Sequence, residues 1–116
     1  MNYSRNAPIS PVEVEAELIR LTREIESETE AFEVLAKDHA VKEATYKKEW
    51  FKEYLAAEGA VKNKESWAGY KTSELYYDAM VADALVRAKR EKLHSLRTGC
   101  DALRTLAANV RSQVKF

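Results

Sequence analysis

His39, His94 and Cys100 are the side chains of this sequence best suited to making and breaking bonds. A histidine beside a carboxylate, as in Asp38-His39, could move a proton or hold a metal. Neighbours in sequence point to different sides of a helix, however, and a metal site needs three or four convergent ligands. In a chain that turns back near residue 61, His39 sits opposite about residue 83, far from His94. Cys100 lies on an apolar stripe between Leu96 and Leu103, where cysteine behaves as a small hydrophobe. A nucleophile needs a base within reach, and the sequence suggests none. Carboxylate pairs abound, but they sit on glutamate-rich helix faces that water covers. There is no glycine loop of the kind that cradles phosphate. The expectation is a protein that is not an enzyme and has no catalytic residues, no metal and no cofactor.

Two other constellations could bind rather than react. Arg90, Arg97, Arg104 and Arg111 recur every seven residues. Such a row could grip a nucleic-acid backbone or form the charged edge of a helix–helix seam. Between residues 46 and 77 lie eight of the eleven aromatics, among them Tyr46, Trp50, Phe51, Tyr54, Trp67, Tyr70, Tyr76 and Tyr77. Lys62, Lys64 and Lys71 fall among them, and aromatics interleaved with lysine can stack bases and hold phosphates. The same rings could equally pack across two helices. Trp50 with Phe51, and Tyr76 with Tyr77, are adjacent pairs, so one of each should leave an intrachain seam. Trp50, Phe51, Tyr54, Trp67, Tyr70, Tyr76 and Tyr77 are therefore the candidate interaction surface. Lys62, Lys64, Lys71, Arg90, Arg97 and Arg104 are the candidate nucleic-acid contacts.

The elements that must position these residues are helices. Three glycines and two prolines in 116 residues leave little turn punctuation for strands. Lys plus Arg equals Asp plus Glu at 19 each, so no net field draws the chain to DNA or an anionic membrane. One cysteine excludes an intramolecular disulfide. No apolar run approaches the ~18 residues of a membrane span. "MNYSRNAPISP" has no apolar core of a signal peptide. The expected location is cytoplasmic, without a membrane.

Residues 1–10 read as a flexible tail and helix cap, and 11–116 as a single helical-hairpin domain. In "ISPVEV", Ser10 can cap, Pro11 opens the helix, Glu13 completes a capping box, and Ile9 with Val14 can form a staple. The first helix is expected over about 11–58, its seam running Val14, Leu18, Leu21, Ile25, Phe32, Leu35. Past Leu35 a straighter period through Phe32, Ala36, Tyr46, Trp50 and Tyr54 fits better. Gly59 can end it in a left-handed cap, and Asn63 or a near neighbour can cap the next. The second helix is expected over about 64–112. Its first half shows Trp67, Tyr70, Tyr77, Val81, Ala84 and Ala88. Its second half shows Leu93, Leu96, Cys100, Leu103, Ala107, Val110 and Val114. The two stripes do not share one register, which predicts a stutter between Ala84 and Leu93. Gly99, inside the second half, either permits a close helix approach or marks a kink.

Equal helices with a short connection predict an antiparallel hairpin. The fold class is thus all-α, a long two-helix coiled-coil hairpin. Charge supports the antiparallel sense. Residues 13–33 hold eight glutamates against Arg20 and Arg23, and residues 87–115 hold eight Lys or Arg against Glu91 and Asp101. Folding back lays these segments side by side, with the arginine row flanking the seam. A lone hairpin buries little surface, so a homodimer forming a helical bundle is expected.

The segments "VEVEAELIRLTREIE", "VKNKESWA" and "LRTGCDALRTLAANVRSQ" resemble small helical proteins of tailed phages, notably those of actinobacteria, over about residues 12–113. That resemblance implies a phage accessory role, acting on an unknown host or phage protein or in recombination or replication. It assigns no residue a function. Trp67-Ala68-Gly69 also resembles the Trp-x-Gly family of secreted helical hairpins. That family's tail signal, a tyrosine four residues before an acid, occurs here at Tyr70–Glu74, far from the C-terminus.

Overall fold

A computed structural model of the chain describes residues 10–114, with side chains through 112. The described residues form three α-helices: α1 (Pro11–Ala56), α2 (Val61–Lys71) and α3 (Ser73–Val114). The fold is all-α, and it divides into two compact units. A terminal unit joins the described residues up to Glu30 to those from Glu91 onward. A middle unit comprises Ala31–Arg90. The one expected second helix is two helices, the first of them starting at Val61.

In the terminal unit, α1 opens as its sequence demands. The Glu13 N–H donates to Ser10 Oγ at 3.1 Å, and the Val14 N–H donates to the Ser10 carbonyl at 3.1 Å. The proposed staple partner Ile9, and the rest of the expected tail over 1–9, lie outside the described residues. Val14 is 1% exposed. Behind it Leu18, Leu21 and Ile25 are half-buried against the α3 segment that carries Leu93, Leu96, Cys100, Leu103, Ala107 and Val110. The two segments run antiparallel. Val14 and Leu18 share a groove with Ala107, and Ile25 shares one with Cys100. Further along α1, Glu28 meets Lys92 at 3.2 Å. The glutamate-rich front therefore does lie beside the arginine-rich end.

In the middle unit the contacts step in the same antiparallel sense. Phe32 meets Arg90, His39 approaches Asp83, Tyr46 meets Tyr76, and Glu53 accepts from Trp67. The α1 partners are seven residues apart, so one face of α1 looks at α2 and α3 throughout this unit. The expected stripe of Phe32, Ala36, Tyr46, Trp50 and Tyr54 is half-buried, but so are His39, Glu43, Glu49 and Glu53. The seam widens and turns polar, and its seven-residue step persists.

The turn departs from expectation at one residue. Gly59 has φ +102°, a left-handed geometry that a side chain would strain. The N-cap of α2 is Ala60, with extended backbone and no side-chain cap bond. Asn63 is inside α2, its amide lying against Gly59. The break between α2 and α3 falls at Thr72, where no glycine or proline announces it. Thr72 Oγ1 donates to the Ala68 carbonyl at 2.7 Å, as does its N–H at 3.1 Å. A buried threonine thus closes α2 on itself, and φ −111° at this residue interrupts the helix.

The stutter expected between Ala84 and Leu93 does not occur. Buried or half-buried positions run Thr72, Leu75, Ala79, Ala82, Val86, Lys89, and the alternation of three and four resumes at Leu93. Tyr70, Tyr77, Val81, Ala84 and Ala88, expected on the seam, are exposed, and Trp67 is 45% exposed. On α2 and α3 the buried positions of the middle unit are Ala68, Thr72, Ala79, Ala82 and Val86, while Tyr70, Tyr77 and Val81 stand outside the seam.

Candidate interaction surface

Next to the turn, α1 presents Trp50 and Tyr54 one helical turn apart, which lets their rings stack at 5.3 Å and 16°. Phe51 meets Trp50 edge-on at 5.2 Å. Trp50 and Tyr54 are half-buried, and Phe51 is 59% exposed. Lys64 of α2 brings its ammonium to 5.6 Å from the centre of the Tyr54 ring. A second cluster is built from Glu53 and α2: Trp67 Nε1 donates to Glu53 Oε2 at 3.2 Å, and Lys71 Nζ lies 4.8 Å from the Trp67 ring. These cation–ring contacts contribute about 0.5–1 kcal/mol each at exposed sites. They also hold Lys64 and Lys71 against aromatic faces that a stacked base would need. In the resembling tripeptide, Ala68 is fully buried and Gly69 has open space around it.

Tyr76 contacts Tyr46 across the seam at 5.2 Å, whereas its neighbour Tyr77 points away from it and is 66% exposed. Tyr70, seven residues earlier, is likewise exposed. Met80, Val81 and Leu85 continue the outer side of α3, and Val34, Val41 and Leu55 stand outside α1. Of the fourteen exposed large apolar side chains among the described residues, twelve belong to the middle unit. Val34, Val41, Leu55, Met80 and Leu85 were not singled out from sequence. Val34, Val41 and Leu55 follow a second alternation of three and four, shifted two residues from the seam, whereas Met80 and Leu85 lie outside it.

The arginine row occupies the position just after the seam residues Lys89, Leu96, Leu103 and Val110, so it flanks the seam as its spacing implied. Arg90 lies 5.7 Å from the Phe32 ring, and Arg104 pairs with Asp101 of its own helix at 3.1 Å. Arg97 lines a shallow groove with Thr22, Ile25 and Glu26. Lys92 of α3 pairs across to Glu28 of α1. Lys62 is exposed on α2. Gly99 has nothing within 4 Å of where a Cβ would stand, so among the described residues no other helix approaches it.

His39 Nε2 lies 3.4 Å from Glu43 Oε2 and 3.9 Å from Asp83 Oδ1, in a groove that also includes Tyr46, Tyr76 and Met80. Glu43 and Asp83 are themselves paired with Lys47 and Arg87. His94 is exposed, and Cys100 is 2% exposed on the seam. No group of three or more His, Cys, Asp or Glu among the described residues could hold a metal ion. No helix of the described residues is long and apolar enough to cross a membrane. On the front of α1, Arg20 donates to Glu17 and Glu24. The hydrogen bond from Arg20 holds the Glu17 carboxyl below its ordinary value, and the same bond pushes the Arg20 guanidinium up.

Compared with known families, curated proteins and solved structures, the chain has no significant match in any of the three.

Proposed function

We propose that the chain is a non-enzymatic accessory protein of a tailed phage, working in the host cytoplasm by binding protein through a coiled-coil hairpin scaffold, and that it does so as a homodimer. One observation carries the reading. On α2 and α3 the middle unit buries Ala68, Ala79, Ala82 and Val86, and it leaves Tyr70, Tyr77, Val41 and Phe51 in water. Contiguous exposed apolar surface on a soluble helix marks a binding face. The phage assignment rests on the likeness of the "VEVEAELIRLTREIE" and "LRTGCDALRTLAANVRSQ" segments to such proteins. Sedimentation equilibrium tests the self-association, and a chain that stays monomeric at about 100 µM would count against it, a free energy of about 5.5 kcal/mol being the least a useful dimer supplies.

A second reading, binding to nucleic acid in phage recombination or replication, is favoured by the exposed guanidinium row. Replacing Arg90, Arg97 and Arg104 by glutamate separates the two. Loss of salt-sensitive DNA binding with the fold intact supports nucleic acid. A lowered melting temperature with no DNA binding to lose supports the seam.

A further inference from the structure

The outward residues of the middle unit form two ordered stripes. On α1 they are Val34, Lys37, Val41, Ala44, Lys48, Phe51 and Leu55, separated alternately by three and four residues. On α3 they are Glu74, Tyr77, Val81, Ala84 and Ala88, with the same alternation, and all of these residues are exposed. Val41 stands two residues after His39 of the seam, and Val81 two after Ala79. Two residues are about 200° of helix rotation, so each stripe lies nearly opposite the face its helix turns inward. Inside one chain the inward faces already meet through Tyr46–Tyr76 and His39–Asp83. The two stripes therefore cannot reach each other without a second molecule.

We propose that this molecule is a second copy of the chain, docked so that the outer α1 stripe of one copy packs antiparallel on the outer α3 stripe of the next. The inference rests on the self-association proposed above and names its contact. Charge selects both partner and register. Lys42, Lys47 and Lys52 are paired within α1, to Asp38, Glu43 and Glu49. Lys48 takes part in none of the described ion pairs, nor does Glu74. With Val41 level with Val81, an antiparallel alignment brings Lys48 level with Glu74, sets Ala44 beside Tyr77, and sets Val34 beside Ala88. Small residues thus face large ones, and the acid meets the base. A slide of seven residues either way puts Glu74 against Val41 or Leu55 and loses the pair. Lys37 falls level with Leu85, where its stem can lie along the apolar side chain while the ammonium stays in water.

The contact joins two different surfaces, so it is heterologous. A copy engaged through its α1 stripe still offers its α3 stripe, and the dimer is the first step of an association that continues unless it closes.

Heterologous pairing has a decisive test in mixing. Val41→Glu spoils the α1 stripe and Val81→Glu the α3 stripe. Both sites are exposed and glutamate is a good helix former, so helicity by circular dichroism should be unchanged. Sedimentation velocity of each variant alone should show monomer. Their equimolar mixture should show a heterodimer and nothing larger, because one intact stripe of each kind remains. If either variant alone associates like the natural chain, or the mixture stays monomeric, the contact is wrong, and the self-association reading survives so long as the natural chain associates. A natural chain that is itself monomeric sinks both. The charge pair gives an independent check. Lys48→Glu and Glu74→Lys should each weaken association about tenfold, and both together on one chain should restore it. Additive weakening in the double variant would overturn the register.

Discussion

Replacing Leu93 by alanine should separate the seam from the outer stripes. Leu93 is 4% exposed on the α3 face of the terminal unit. The change removes three carbons, at about 0.8 kcal/mol for each buried methylene equivalent, so about 2.4 kcal/mol of transfer free energy is lost. A cavity penalty adds to this, but a seam only two helices deep lets water in, which keeps the total near the lower end of the usual 2–5 kcal/mol. About 2.5 kcal/mol should lower the melting temperature by about 10 °C. Tyr77→Ala removes more atoms, yet Tyr77 is 66% exposed and alanine is the better helix former. In dilute protein it should cost about 0.5 kcal/mol or less. The assay is thermal unfolding followed at 222 nm, at about 1 µM and again at about 100 µM. The Leu93→Ala deficit should be present at both concentrations. The Tyr77→Ala deficit should appear only at the higher one, where association contributes to stability. If Tyr77→Ala costs as much as Leu93→Ala at 1 µM, the division into inner seam and outer stripe is wrong.

Ser10→Ala removes the acceptor for the Glu13 N–H and should cost about 1 kcal/mol, read as lower helicity of the first turn by amide exchange. Glu28→Lys should destabilise the terminal unit by about 1–2 kcal/mol, and adding Lys92→Glu should recover part of the loss, since the pair is reversed in place; urea midpoints of the four proteins give the coupling. Glu17 has its folded value depressed by the bond from Arg20, so its contribution is present above the ordinary carboxylate range and is lost as pH falls through the lower folded value. Stability of the natural chain should therefore fall with acid in that window more steeply than that of Glu17→Gln; parallel curves would remove the Arg20 bond from the account.

The terminal unit was legible because its seam is made of the residues that sequence patterns weigh most. Val14, Leu18, Leu21 and Ile25 answer Leu93, Leu96, Cys100 and Leu103, with Ser10-Pro11 marking the start. The charge excess of each segment then gave the antiparallel sense. On α1 of the middle unit the same reasoning found the inward face, but on α2 and α3 it followed size and went to the outer one. Tyr70, Tyr77 and Val81 outweigh Ala79 and Ala82 in any hydrophobic pattern, yet the alanines are inside. The stutter between Ala84 and Leu93 was an artefact of joining an outer stripe to an inner one. Local chemistry explains the other misses. Ala60 caps α2 by backbone shape alone, which leaves no side-chain signature. Thr72 breaks the helix through a hydroxyl that any exposed threonine also carries. The exposed aromatics were legible in part, because adjacent pairs such as Tyr76-Tyr77 cannot both face one partner helix.

An alanine seam has a cost that bears on function. Burying a methyl contributes about 0.8 kcal/mol, against about 1.5–3 kcal/mol for a whole leucine or valine side chain, so Ala79 and Ala82 return much less than Leu93 does. Across from them α1 offers Phe32, Tyr46, Trp50 and Tyr54 but also His39, Glu43, Glu49 and Glu53, whose polar contacts near the surface are worth about 0.2–1 kcal/mol each. Selection for hairpin stability alone would favour larger apolar side chains at the Ala79 and Ala82 positions and opposite them in place of the carboxylates. Small inner residues do permit two helices to approach closely, and a close pair exposes both backs with little rotational freedom. That arrangement suits a scaffold whose large apolar side chains serve another helix, as the proposed self-association requires.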